Sequence, residues 1–133
     1  MTSENILEWL KTLSTKADSY YAGTLPNKKE RSFGVYQMKS SRKRDIAIGG
    51  AQCTKTLTKA VTVLVHWERS TRTTEAAAQA LYDELCAVRD VDIGGFHCCY
   101  IEPQNASPVD VGADENGIME RVIDFIIYYM RKE

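Results

Sequence analysis

The segment from Met119 to Met130, MERVIDFIIYYM, limits the fold more than any other part of the chain. Read with a period of two, it sets Ile123, Phe125, Ile127 and Tyr129 on one face and Val122, Ile126, Tyr128 and Met130 on the other, with Asp124 as the polar interruption. A strand that is apolar on both faces belongs at the centre of a sheet with both faces covered. One layer of helices covers only one of them, and a partner chain is a candidate for the other.

The rest of the chain supplies the neighbours. Ile6, Leu7, Leu10 and Leu13 recur at helical spacing, with Trp9 beside them, and predict a helix over residues 3–17. Thr2 or Ser3 can cap it, and Glu4 suits its positive end. Tyr20, Gly23, Pro26 and Asn27 break the pattern. RSFGVYQMK, residues 31–39, alternates as a short strand, and IAIGG, residues 46–50, is a second short candidate closed by Gly49 and Gly50. In KAVTVLVHWER, residues 59–69, Val61, Val63, Val65 and Trp67 share one face, and their β-branching suits a pleated surface. STRTTEAAAQALYDELCAV, residues 70–88, predicts a second helix capped by Thr73 or Thr74, with Ala77, Leu81, Leu85 and Val88 as its stripe. Gly94-Gly95 follows that helix, and FHCCYIE, residues 96–102, is a further strand. Residues 103–118, with Pro103, Pro108, Gly112 and Gly117, read as a loop. The order α-β-β(-β)-α-β-β predicts an α+β fold: a mostly antiparallel sheet of four to five strands with two helices packed on one face.

A length of 133 residues suits a single domain over residues 1–133. The net charge of −1 and pI near 6.1 point to no nucleic-acid or anionic-membrane partner and leave little repulsion against self-association. No stretch is apolar enough to span a membrane. The N-terminal segment does not read as a signal peptide, so Cys53, Cys86, Cys98 and Cys99 are expected as reduced thiols in a cytoplasmic setting.

Candidate chemistry is thin. GGAQCTKT, residues 49–56, aligns Gly49, Lys55 and Thr56 with a phosphate-binding loop, but Thr54 replaces the second glycine and a strand follows instead of a helix. In HCC, residues 97–99, adjacent strand residues point to opposite faces, so only His97 and Cys99 share one, with His66 a third candidate ligand. Neither histidine lies in a nucleophile elbow. No cofactor is expected. The basic stretch KSSRKRD, residues 39–45, has no interleaved aromatic residue and reads as a solvated or protein-facing loop rather than a specific nucleic-acid site. PVDVGADENG, residues 108–117, gathers Asp110, Asp114 and Glu115 but fails the calcium-loop pattern at its third, sixth and twelfth positions. Asn116-Gly117 is a turn signal, because both residues tolerate positive φ.

PVDVGADENGIMERVIDFIIYY also resembles the closing signature of a family of small minor capsid proteins of bacteriophages and prophages. Pro108, Val109, Val111, Gly112, Asp114 and Gly117 stand at its motif positions, followed by Glu120, Val122, Phe125 and Tyr128. Upstream, AIGGAQCTKTLTKAVTVLVHWERSTRTTEAAAQALYDEL is similar too: a glycine turn, a Val-Leu-Val-His-Trp strand and a Glu-Ala-Ala helix. The element order is similar to that of phage tail terminator, or tail completion, proteins. The resemblance implies a structural virion subunit at the head–tail junction, made in the host cytoplasm. It implies a ring, possibly of six subunits, that stops tail-tube polymerisation and meets the head–tail connector. Its partners would then be other copies of itself, the tail-tube protein and the connector protein. Arg42, Lys43, Arg44, Asp110, Asp114 and Glu115 are the candidate contacts; Gly49, Gly50, Pro108, Gly112, Asn116 and Gly117 are the candidate turn residues. The competing readings are a small metal-binding or hydrolytic enzyme built on His66, His97 and Cys99, and a prophage-encoded regulatory binding module.

Overall fold

The computed structural model describes residues 1–23, 30–38 and 56–130. The expected strand at residues 46–50, the Gly49-Gly50 turn and the basic stretch at 39–45 lie outside them. The elements run α1 (Ser3–Leu10), β1 (Ser19–Ala22), β2 (Ser32–Gln37), β3 (Thr56–His66), α2 (Thr71–Cys86), β4 (Arg89–Ile93), β5 (Phe96–Pro103), β6 (Val109–Ala113) and β7 (Met119–Met130). The strands form one sheet in the order β1-β2-β3-β7-β5-β4, with β6 also paired to β7. All pairs are antiparallel except β1 with β2. Among the described residues the α+β class and the two helices match expectation, but the sheet has seven strands instead of four or five.

β7 is central, as its two apolar faces require. β3 follows it over its whole length, from Thr56 opposite Met130 to His66 opposite Glu120. On its other side β5 covers the C-terminal half and β6 the N-terminal half. Both helices pack on the face of Ile123, Phe125, Ile127 and Tyr129, where Ile6, Leu10, Phe33, Val63, Leu81 and Leu85 complete the core. Each such side chain, fully buried, is worth about 1.5–3 kcal/mol relative to exposure. On the opposite face Ile126 is buried, Leu64, Val122 and Tyr128 are half-buried, and Tyr100 stacks on Tyr128 with ring centroids 4.6 Å apart.

Several boundaries differ from expectation for local reasons. α1 stops at Leu10 rather than near residue 17. Beyond it, the amides of Ser14 and Thr15 donate to the two carboxylate oxygens of Glu84, at 2.7 and 2.8 Å, and the Thr12 hydroxyl bonds back to the Trp9 carbonyl. These bonds replace the helical ladder. Burial works to raise the Glu84 pKa, but the bonds from Ser14 and Thr15 and the nearby Lys16 outweigh it and hold the carboxyl below its usual range. α2 is capped by Ser70, not by Thr73 or Thr74, and its stripe runs Thr74, Ala78, Leu81 and Leu85, with Ala78 in place of Ala77. Thr74 is spent on docking the helix: its hydroxyl donates to the Glu68 carbonyl.

Three strands lie where none was expected. β1 pairs residues of the segment read as a break. β4 forms a hairpin with β5 through Gly94-Gly95, both at positive φ (56° and 86°), the geometry of a two-residue turn. β6 occupies part of the segment read as loop.

Candidate functional site

The closing hairpin, β6 with β7, gathers most of the described candidate residues. Asp114 organises it. Its Oδ1 accepts hydrogen bonds from the amides of Asn116 and Ile118, both at 2.9 Å, and its backbone amide donates to the Ile118 carbonyl. Gly117, at φ 80°, completes the turn by donating to the Asp114 carbonyl. Oδ2 lies 2.8 Å from His66 Nε2, and the two side chains are 8% and 1% exposed. An ionised carboxylate only accepts, so the His66 ring N–H donates. Burial pushes the Asp114 carboxyl up, but the His66 hydrogen bond, the two amides and the attraction of His66 together bring it below its usual value of 3.8. Arg69 Nε adds a bond to the Asn116 carbonyl at 3.1 Å.

Asp110 does different work. Its Oδ1 accepts from the Gly112 amide at 2.9 Å, across a bulge in the β6–β7 register between Asp110 and Gly112. Gly112 sits at φ 93°, where glycine has no steric cost. The Asp110 carboxylate also lies 3.9 Å from Arg121, which reaches Glu75 of α2 at 4.0 Å. Arg121 belongs to the helix-covered face by strand parity, whereas His66 belongs to the other. Asp110 and Asp114 therefore do not converge, and no paired-carboxylate chemistry is available to them.

Pro108 is buried and ends the excursion that separates β5 from β6. All five residues of β6 are exposed, with Val109 at 39% and Val111 at 50%. Glu115 and Asn116 are exposed at the tip of the turn. Arg42, Lys43, Arg44, Gly49 and Gly50 lie outside the described residues. The residues proposed for metal or nucleophilic chemistry are dispersed. His66 stands opposite Glu120 and His97 opposite Met130, ten positions apart on β7, or roughly 33 Å at strand rise. His97 instead meets Asp90 at 3.2 Å on the β4–β5 hairpin. Among the described residues no group of three His, Cys, Asp or Glu side chains is placed to hold a metal ion.

Sequence reasoning overlooked His66 as the partner of Asp114, and Arg121 as the link from α2 to β6. A signal existed for the first: a lone histidine follows the apolar run Val63-Leu64-Val65, and a buried ring donor there needs an acceptor.

The arrangement is architectural rather than chemical: a clamped turn, a bulge and an exposed edge strand on a well-packed sheet. Comparison with known families agrees. A family model described as bacteriophage tail terminator protein matches residues 1–130. The chain belongs to that family. No curated protein and no solved structure matches it. As a tail terminator protein it has a structural part in completing the phage tail, which entails contact with other tail or head proteins. The terminator family is structural rather than enzymatic. No described helix is long and apolar enough to cross a membrane.

Proposed function

We propose that this chain is the subunit of a closed ring at the head–tail junction, which halts tail-tube polymerisation and presents a surface to the capsid connector. The observation that carries the reading is the family match over residues 1–130. The structure is compatible with it in having exposed strand edges and a sheet face with half-buried Leu64, Val122 and Tyr128 opposite the helices. Ring interfaces of this kind are heterologous and close by rotation. The partners are other copies of the chain, the tail-tube protein and the head–tail connector. Asp110 and Glu115 are exposed and stay contact candidates; Arg42, Lys43 and Arg44, outside the described residues, are kept as candidates from the sequence alone. Asp114, with its carboxylate committed to the turn and to His66, shapes the contact edge instead of touching the partner.

Light scattering over a concentration series, alone and with tail-tube protein added, tests this. Ring formation, or capping of tube growth at substoichiometric amounts, is the expected result. A chain that stays monomeric and binds neither tube nor connector would overturn it.

A further inference from the structure

The sheet contains a five-strand band whose two ends match. Following the pairing across β1, β2, β3, β7 and β6, one row reads Tyr21, Gly34, Leu64, Val122 and Val109. The next reads Tyr20, Phe33, Val65, Arg121 and Asp110, and the next Ser19, Ser32, His66, Glu120 and Gly112. β1 and β6 thus lie at the same level at opposite ends of the band. They have four and five residues. Their directions also fit. β1 runs with β2, and each further step to β3, β7 and β6 reverses direction, so β6 runs opposite to β1. A copy placed beside the first by a simple rotation would bring its β1 against the first copy's β6 as an antiparallel pair.

Both edges are open among the described strands. β1 pairs only with β2, and β6 only with β7. The amides of Ser19 and Gly23 donate toward β2, to the carbonyls of Arg31 and Val35. By strand alternation Tyr20 and Ala22 aim their amides and carbonyls outward. Neither edge carries the lysines or prolines that usually blunt such strands. Ser19–Ala22 has no charged residue, and the one charge of Val109–Ala113, Asp110, already faces Arg121 and the Gly112 amide. β6 also holds Val109 and Val111, two of the three exposed large hydrophobic residues among those described. The third open edge, β4, fits less well. It carries Arg89, Asp90 and Asp92, includes Asp90 at φ 51°, and pairs at the level of the other end of β7.

We infer that β6 of one subunit adds to β1 of the next, so that the sheet continues from copy to copy around the ring. This rests on the proposed ring assembly and specifies the surface that builds it. Edge pairing of this kind draws its affinity from main-chain hydrogen bonds, with side chains setting the register.

The test uses the full chain under conditions where the unaltered protein assembles, with tail-tube protein added if assembly needs it. Val111→Lys places a charge on the β6 edge at a half-exposed position. Ala22→Pro removes an outward-pointing amide without touching the β1–β2 bonds. Sedimentation velocity should show each raising the concentration for half-assembly at least about tenfold, a loss of 1.4 kcal/mol or more. Thermal melting of the Val111→Lys monomer should be unchanged, and Asp92→Lys on β4 should assemble normally. If the unaltered chain forms rings and Val111→Lys forms them equally well, the β6–β1 contact is wrong while the ring survives. If the unaltered chain never assembles, even with tube protein, the ring reading fails and takes this contact with it.

Discussion

β5 and β6 lie on the same side of the same strand, yet they have opposite characters. β5 is flanked by β7 and β4, and its Cys98 and Ile101 are buried in the helix-covered core. β6 continues along β7 after an excursion through residues 104–108, but nothing described lies on its outer side and all five of its residues are exposed. One strand, β7, therefore has a buried neighbour along one half and an exposed one along the other. What separates the two halves is whether a further strand and a helix arrive on the outside, not the pairing with β7 itself.

Substitutions can break or sharpen that contrast. The largest effect is expected in β5: Ile101→Ala, at a site 3% exposed and opposite Ile127, should cost about 2–5 kcal/mol in urea unfolding. A cost near zero would mean that β5 is no better anchored than β6. Next comes the clamp at the base of β6. Asp114→Ala removes the carboxylate from the buried His66 Nε2 and from two turn amides, and about 1–3 kcal/mol of stability should go with it. The same group predicts a pH dependence. Its folded pKa is below its usual 3.8, so its contribution is complete above that value and is lost as the pH falls through the lowered one. Acid titration of Asp114→Asn, followed by thermal melting, should lack this component of the stability loss. Equal acid profiles for the two proteins would refute the clamp.

A smaller effect is expected at the bulge. Gly112→Ala meets open space but must hold φ 93°, so the cost is conformational, about 1–2 kcal/mol. Amide exchange should speed up in β6 and leave β5 unchanged. The smallest effect belongs to Val111→Ala, which should stay within about 0.5 kcal/mol in the monomer because the side chain is already half in water. A large loss there would show that β6 is packed more firmly than its exposure indicates.

Much of the fold was legible. The alternation of Val61, Val63 and Val65, the two apolar faces of β7 and the helical stripe through Leu81 and Leu85 are all patterns held within single segments, and each element formed where it was read. Three strands were not legible. β1 has four residues, and β4 and β6 have five each, too short for alternation to stand out from a turn. Gly94-Gly95 did carry a hairpin signal, since a glycine pair between alternating residues favours a two-residue turn. The end of α1 was equally hidden, because the acceptor that diverts Ser14 and Thr15, Glu84, lies about 70 residues away in sequence.

The candidate site divides in the same way. Asn116-Gly117 announced the turn, and the missing ligand positions ruled out a calcium loop, so the segment read as structural before its partners were known. Asp114 could not be matched to His66, nor Asp110 to Arg121, because those pairs arise only when β3 and β6 take their places on either side of β7. By itself the sequence determined that β7 is central and that helices cover one face, because side-chain periodicity is a property of one segment. The tertiary structure alone decided which edges stay open and that β1 and β6 end the same rows, because a strand's hydrogen-bonding partners are set by the segments that reach it.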